Sequence, residues 1–148
     1  MSNYIDIAYG DSYFATRLFT GPWEEATDDE RNRAIAMATE ILDTLNYVGD
    51  KSDEDQENQF PRGGDTEVPA EIKKACALIA LALLDGIEPE KEYERLFKAS
   101  GSYGGMKTDY KLGETPSHTL LGIPSSTAFK LIFPYLRDPN QVKVIKVD

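Results

Sequence analysis

The stretch that decides the fold is residues 72–84, which read IKKACALIALALL. After Lys74 nearly every position is apolar, so the segment predicts a central helix that is buried on several sides. Its alanines allow another helix to approach closely, within the subunit or between copies of it. Pro69 suits the first turn of this helix because its missing N–H costs nothing there. Asp85-Gly86 is expected to end the helix.

A second long helix is predicted upstream, beginning after Thr27. Thr27 and Glu30 have the spacing of a capping box, which satisfies two free amide groups at a helix start. Apolar residues then recur on one helical stripe as far as Gly49, where we expect the helix to end. They are Ala34, Ala38, Ile41, Leu42, Leu45 and Val48. Trp23 is expected to pack back over the start of this helix, with a contact to a partner protein as the alternative.

Shorter helices are predicted from cap and stop signals elsewhere. Asp11-Ser12 predicts a helix that reaches about Phe19, and Pro89 predicts one that reaches about Ala99. Ser125 can cap a last helix, which Pro134 should kink or shorten.

Two segments have the composition of strands. Residues 106–112 alternate roughly between polar and apolar side chains, and residues 142–147 are rich in valine and isoleucine. The sequence therefore predicts a mainly α fold: a bundle of about four to five helices with a short strand or hairpin arm and an extended C-terminal tail. We assign residues 1–136 to the helical domain and residues 137–148 to a docking tail.

Length and charge limit the classes of function. A chain of 148 residues fits one domain and removes roughly two-thirds of its unfolded surface from water on folding. The net charge is −10; residues 1–68 hold 16 acidic and 5 basic side chains, whereas residues 69–148 hold 10 and 11. Phosphate binding needs clustered Lys and Arg, so the acidic first half argues against tight, general nucleic-acid binding. The alternative is an acidic face that only aids solubility.

The sequence also indicates where the protein is made. No apolar run reaches the ~20 residues of a membrane-spanning helix, and the N-terminus lacks the pattern of a secretory signal, so we expect no membrane contact and synthesis inside the cell. Cys76 is the sole cysteine, which excludes an internal disulfide and favours a small buried residue.

Patterns for catalysis, metal binding or cofactor binding are weak. Residues 50–58 hold five carboxylates, but an EF-hand starting at Asp53 fails, because Asn58 and Gly64 occupy positions that need Gly and Glu. We expect this stretch to be a mobile, solvated charge run instead. His118 has no acid, serine elbow or metal partner at a usable spacing. Arg62, beside two glycines, has the chemistry to grip a carboxylate or phosphate, or to pair with an acid of the loop. We therefore expect no enzyme activity, metal or cofactor.

An ordered set of residues resembles the head-to-tail adaptor proteins of tailed bacteriophages, which are often grouped with a DnaT-like single-stranded-DNA-binding domain. The resemblance covers roughly residues 4–136. The matching positions are Trp23, Ala34, Ala36, Ala38, Thr39, Ile41-Leu42-Asp43, Gly49, Gln59-Phe60-Pro61-Arg62-Gly63, Val68-Pro69, Ala75, Leu78, Ala80-Leu81 and Phe133-Pro134-Tyr135-Leu136.

This resemblance implies a structural protein of the virion at the head–tail junction, made in the host cytoplasm. Its copies would form a ring, commonly of twelve, that docks beneath the portal protein, meets a tail or nozzle protein and continues the channel for genomic DNA without binding it tightly. We expect four acidic side chains to face the channel or its rim: Asp53, Glu54, Asp55 and Glu57. The expected contacts with a neighbouring subunit or the portal are Trp23, Arg62, Tyr135, Val142, Val144 and Val147.

Two other functions remain open. The first is a single-stranded-DNA-binding module of the DnaT-like kind, for which Tyr103, Lys107, Tyr110 and Lys111 are the best aromatic and basic candidates. The second is an enzyme with a site in loops around His118 and Arg62. Oligonucleotide binding separates the first from the adaptor hypothesis, which expects negligible affinity at physiological salt.

Overall fold

The structure is a computed structural model that describes residues 2–100 and 117–137, and these residues are mainly helical, which confirms the predicted fold class. The elements, in chain order, are α1 Ile7–Phe14, α2 Gly21–Glu25, α3 Asp28–Asp43, α4 Ala70–Leu84, α5 Pro89–Ser100, α6 Ser117–Leu120, α7 Ser126–Ile132 and a 3-10 turn Phe133–Tyr135. Within the described residues, β-pairing is limited to two isolated antiparallel bridges, Tyr47 with Leu136 and Lys51 with Arg62. The predicted hairpin arm and terminal strand lie outside the described residues.

Helix α4 lies at the centre of the fold, as the sequence predicts. Its residues from Ala75 to Ala80 are all buried, and α3 and α7 pack against it most extensively. Helices α3 and α4 meet where Thr39 Oγ1 lies 3.6 Å from Cys76 Sγ. Burial raises the pKa of the Cys76 thiol to about 12. The alanines of α4 therefore serve close helix packing within the subunit.

The start of α3 confirms the capping box, but its end differs from the prediction. Thr27 Oγ1 accepts from the Glu30 amide at 3.1 Å, and the Thr27 amide donates to Glu30 Oε1 at 2.9 Å. The helix ends at Asp43 rather than near Gly49. The side chain of Thr44 donates to the Ile41 carbonyl at 2.6 Å, and Tyr47 Oη donates to the Leu42 carbonyl at 2.6 Å. These side chains satisfy carbonyls that another helical turn would otherwise use.

The first helix begins earlier than predicted, at Ile7 instead of after Asp11-Ser12. Asp6 is the cap, since its Oδ1 accepts from the Tyr9 amide at 2.8 Å. Asp11 lies inside α1 and accepts from the Trp23 indole N–H at 2.9 Å. A distant tryptophan therefore uses the carboxylate that the sequence suggested as a cap.

The C-terminal elements follow their local signals. Ser125 Oγ accepts from the Ala128 amide at 3.1 Å, which caps α7 as predicted. Pro134 ends the α-helix and the chain continues as a 3-10 turn. Leu136 then bridges to Tyr47, so the end of α7 lies beside the end of α3. Among the helices of the described ranges, none is long and apolar enough to cross a bilayer.

Candidate partner interface around the Arg62 loop

Arg62 holds the connection between α3 and α4 together through backbone carbonyls. Its Nε donates to the Val48 carbonyl at 3.1 Å, and one terminal nitrogen donates to the Gln59 carbonyl at 3.2 Å and to Gln59 Oε1 at 2.8 Å. The other terminal nitrogen donates to the carbonyls of Tyr47, at 3.3 Å, and Gly49. In this structure the guanidinium thus binds carbonyls of its own loop, and neither a loop acid nor an external anion is needed to satisfy it.

The acidic loop, residues 50–58, is a folded turn and not the solvated charge run that its composition favours. Its two ends are paired, with the Ser52 amide donating to the Pro61 carbonyl at 3.0 Å and the Gly63 amide donating to the Asp50 carbonyl at 2.9 Å. Gln56 Nε2 donates across the turn to the carbonyls of Asn58 and Pro61, at 2.8 and 2.9 Å. The turn exposes the four acidic side chains predicted to face a channel: Asp53, Glu54, Asp55 and Glu57.

The N-terminal segment ties this loop to α3 through Asp43. Asp43 Oδ1 accepts from Tyr4 Oη and from the Gln59 amide, the latter at 3.1 Å. Tyr4 Oη in turn accepts from the Phe60 amide at 3.2 Å. Burial, and then the neighbouring Asp43, raise the pKa of Tyr4 far above its ordinary value. The pKa of Asp43 is raised as well, because burial outweighs the opposing effects of the hydrogen bonds from Tyr4 and Gln59 and of the charge of Lys51.

Asp43 should make stability fall as the pH rises through its raised pKa. The folded protein holds this proton more tightly than the unfolded chain, so the stability due to protonated Asp43 is fully present below its ordinary pKa of 3.8 and is lost above the raised one. Asp43→Asn keeps an oxygen that accepts from Tyr4 and Gln59, and should flatten the pH dependence of the unfolding free energy in that window. Urea titrations at several pH values measure it, with exposed Asp53→Asn as control. An unchanged slope in Asp43→Asn would contradict this account.

An aromatic cluster centred on Phe60 contributes two rings, Phe60 and Tyr135, to a groove beside the Arg62 loop. Its ring lies edge-on to Tyr47, Tyr135 and Tyr4, at centroid distances of 4.6, 5.8 and 6.3 Å. Tyr135 Oη donates to Glu71 Oε1 at 2.6 Å, which raises the pKa of Tyr135 to about 12 and lowers that of Glu71. The groove has a volume of about 270 Å³. It is lined by Val48, Phe60, Arg62, Gly63, Asp65, Pro69, Pro134 and Tyr135.

Trp23 lies inside the subunit and is only 2% exposed. Its ring packs against Phe14 at a centroid distance of 5.1 Å, and the Arg31 guanidinium lies 5.5 Å from the ring centroid. The expectation that Trp23 contacts a portal or a neighbouring subunit is therefore corrected: the ring joins α1, α2 and α3 within one chain. Of the other predicted contacts, Arg62 and Tyr135 line the groove, and Val142, Val144 and Val147 lie outside the described residues.

Two tyrosines of α1 and an arginine that follows the helix lie close together. Tyr9 and Tyr13 stack with centroids 6.3 Å apart and rings 13° from parallel, and the Arg17 guanidinium lies 5.2 Å from the Tyr13 ring centroid. Arg33, by contrast, pairs with Asp29 on its own helix at 2.8 Å. The predicted DNA-binding set of Tyr103, Lys107, Tyr110 and Lys111 lies outside the described residues.

His118 lines a different pocket from Arg62, between the starts of α5 and α7. Burial lowers the pKa of the imidazole, and the ring lies 6.4 Å from that of Phe129. The pocket also contains Ile87, Glu92 and Ile123. The two residues of the hypothetical enzyme site thus do not share a pocket. Across residues 2–100 and 117–137, no three His, Cys, Asp or Glu side chains are grouped to hold a metal ion.

The exposure of Leu18 and Phe19 in a loop was not predicted from the sequence. Both side chains are exposed, although the sequence suggested that they were apolar content of a first helix. The only local signal is Gly21-Pro22, which stops a helix but does not indicate which way the preceding side chains point.

Comparison with known protein families agrees with the DnaT-like part of the resemblance. Residues 2–138 match the model of a family described as "Putative DnaT-like ssDNA binding protein". Neither the curated proteins nor the solved structures contain a match. Because the family model covers nearly the whole chain, the protein belongs to this DnaT-like family.

Proposed function

We propose that the protein is the head-to-tail adaptor of a tailed bacteriophage, a structural protein of the virion and not an enzyme. Copies of the chain form a ring, of twelve subunits by resemblance to such adaptors, that docks below the portal protein and meets a tail or nozzle protein. The ring continues the channel through which genomic DNA passes. Synthesis in the host cytoplasm precedes assembly at the head–tail junction.

The exposed acidic turn is the observation that carries this proposal. Arg62 and Gln56 fix its backbone, so Asp53, Glu54, Asp55 and Glu57 are presented together at one end of the α3–α4 pair. A ring repeats this turn in every copy and concentrates negative potential around its axis. Such a surface repels phosphates, so DNA slides past without being held.

Neutralising the turn should slow the release of DNA from assembled particles. The test variant combines Asp53→Asn, Glu54→Gln, Asp55→Asn and Glu57→Gln, and the measurement is the rate of ejection triggered in purified virions. The control neutralises four exposed acids elsewhere: Glu24, Glu40, Glu90 and Glu94. Equal rates in the two variants would contradict a channel role for the turn. Absence of the chain from purified virions would overturn the adaptor assignment itself.

Binding of single-stranded DNA is the second candidate, and the description of the family favours it. The stack of Tyr9, Tyr13 and Arg17 supports it as well, because single-stranded DNA binders combine aromatic platforms with cations. Against it stands the net charge of −10, since affinity for a phosphate backbone comes mainly from clustered Lys and Arg. Fluorescence anisotropy with labelled oligonucleotides at physiological salt decides between the candidates. Tight binding that Tyr13→Ala abolishes would favour the second.

A further inference from the structure

The loop between α1 and α2 presents two apolar side chains to solvent. Leu18 is 80% exposed and Phe19 is 92% exposed, whereas Thr20, the next residue, and Phe14, at the end of α1, are buried. Phe19 also has a φ of 63°, a left-handed conformation that is rare for a bulky side chain. We call Leu18 and Phe19 the Phe19 knob.

The loop backbone is held in this conformation from both sides. The Arg17 amide donates to the Phe14 carbonyl at 3.0 Å, and the Trp23 amide donates to the Thr20 carbonyl at 3.0 Å. A strained backbone persists only where its surroundings enforce it, and such strain is concentrated at functional sites. Here the surroundings hold an aromatic ring away from the core of its own chain.

The groove over Phe60 offers a matching apolar surface. Val48, which lines it, is 59% exposed, and the prolines and Tyr135 supply further apolar walls. The lining holds one cation and one acid: the Arg62 guanidinium is taken up by carbonyls of its own loop, which leaves Asp65 as the exposed acidic residue of the groove. Arg17 is the exposed cation next to the knob. The acidic loop adjoins the groove as well. The two surfaces are therefore complementary in both hydrophobicity and charge.

The knob and the groove lie at opposite ends of α4. Pro22, three residues after Phe19, shares a pocket with Leu84 and Asp85 at the end of the helix, whereas Pro69 in the groove lies at its start. A helix of 15 residues is about 22 Å long. The knob of one chain therefore does not reach the groove of the same chain.

We infer that Phe19 of one copy inserts into the groove of the next, with Arg17 facing Asp65. The two surfaces differ, so the contact is heterologous, and repeating it generates a ring when the rotation closes. This inference rests on the proposed function for the biological role of the ring. The contact itself is tested without portal or virion.

Cysteine cross-linking tests the contact directly. Chains carrying Phe19→Cys are mixed with chains carrying Val48→Cys under mild oxidation, at the highest concentration at which the protein stays dissolved. We expect the mixture to give covalent dimers and the double variant to give a ladder of higher oligomers, because only a heterologous contact propagates. Buried Cys76 serves as an internal control that should not cross-link. Cross-linking of Phe19→Cys chains with each other alone, or no cross-linking at all, would overturn the inference.

Substitutions supply the quantitative test. Phe19→Gly and Phe19→Ala should each weaken self-association at least tenfold in sedimentation experiments, whereas Met37→Ala, at an exposed apolar residue of α3, should not. Phe19→Gly should unfold at a higher urea midpoint than Phe19→Ala, because glycine adopts φ 63° without strain. Arg17→Glu should weaken association, and the double variant Arg17→Glu/Asp65→Arg, in which the two charges are exchanged, should restore it. Failure of this rescue, or tenfold weakening by Met37→Ala, would overturn the inference.

Three further outcomes separate the hypotheses. One tests whether the chain's own tail covers the groove, and two test the contact between copies independently of the adaptor function. If the Phe19–Val48 cross-link forms only after residues 138–148 are deleted, the chain's own tail covers the groove and the inference is wrong. If the cross-link forms but the protein is missing from virions, the self-contact stands and the adaptor function fails. If virions contain the protein and its Phe19→Gly variant assembles normally, the adaptor function stands and the inference fails.

Discussion

Trp23→Ala is expected to lower the free energy of unfolding by about 4 kcal/mol, a large share of the stability of a typical domain. The ring fills the space between α1, α2 and α3, its indole N–H donates to Asp11, and the Arg31 guanidinium lies over its face. Truncation to alanine removes these contacts together and leaves a cavity that rigid helices fill only in part. Urea unfolding followed by circular dichroism measures the effect, because Trp23 is the sole tryptophan and fluorescence is lost with it.

Gly10 provides a matched test of the same packing. A Cβ atom at this position would lie 2.4 Å from Trp23 Cζ2, so Gly10→Ala forces the ring to move and destabilises the wild-type chain. In the Trp23→Ala background the obstruction is gone, and alanine should become favourable because glycine costs roughly 0.5–1 kcal/mol inside a helix. The double-mutant cycle therefore predicts a change of sign. Equal destabilisation in both backgrounds would contradict the observed contact.

Arg62→Ala is expected to lower the unfolding free energy by about 2 kcal/mol, because several loop carbonyls lose a charged donor together. The value is smaller than for a fully buried network, since the guanidinium is partly exposed. Arg62→Lys should lose most of the same stability because an ammonium lacks the planar fork. The control is Arg33→Ala, which removes an exposed pair with Asp29 and should cost no more than about 0.5 kcal/mol.

Hydrogen exchange localises the Arg62 effect. In Arg62→Ala the amides of Ser52 and Gly63, which pair across the acidic loop, should exchange faster, while the amide of Ile79 in the core of α4 should not. Faster exchange throughout α4 would show that the substitution unfolds the whole domain. Unchanged exchange at Ser52 and Gly63 would show that the turn holds without Arg62.

Elements with local signals were predictable from the sequence. The capping box at Thr27 and the Ser125 cap each fix a helix start through bonds three residues apart, so their patterns are complete within a few positions. The apolar composition of α4 likewise predicts its own burial. The resemblance to phage adaptors also predicted a relation to a DnaT-like family, and the family match confirms that relation. The role in the virion stays a proposal.

Features that depend on distant residues were not predictable in this way. Asp11 has the chemistry of a cap, but Trp23 binds its carboxylate and Asp6 caps α1 instead. The composition of residues 50–58 suggests a solvated run, yet Arg62 and Gln56 order it by binding carbonyls that no spacing rule connects. The exposure of Phe19 depends in the same way on how the flanking backbone is held.

The carbonyl oxygen of Gly49 accepts from Arg137, at 3.3 Å, as well as from Arg62. One peptide group thus joins the connection between α3 and α4 to the last described residue of the chain. A mechanical pull on the chain beyond Arg137 should therefore load this peptide group and the adjoining Tyr47–Leu136 bridge. We expect tension applied there to act on the connection between α3 and α4, which carries the acidic turn.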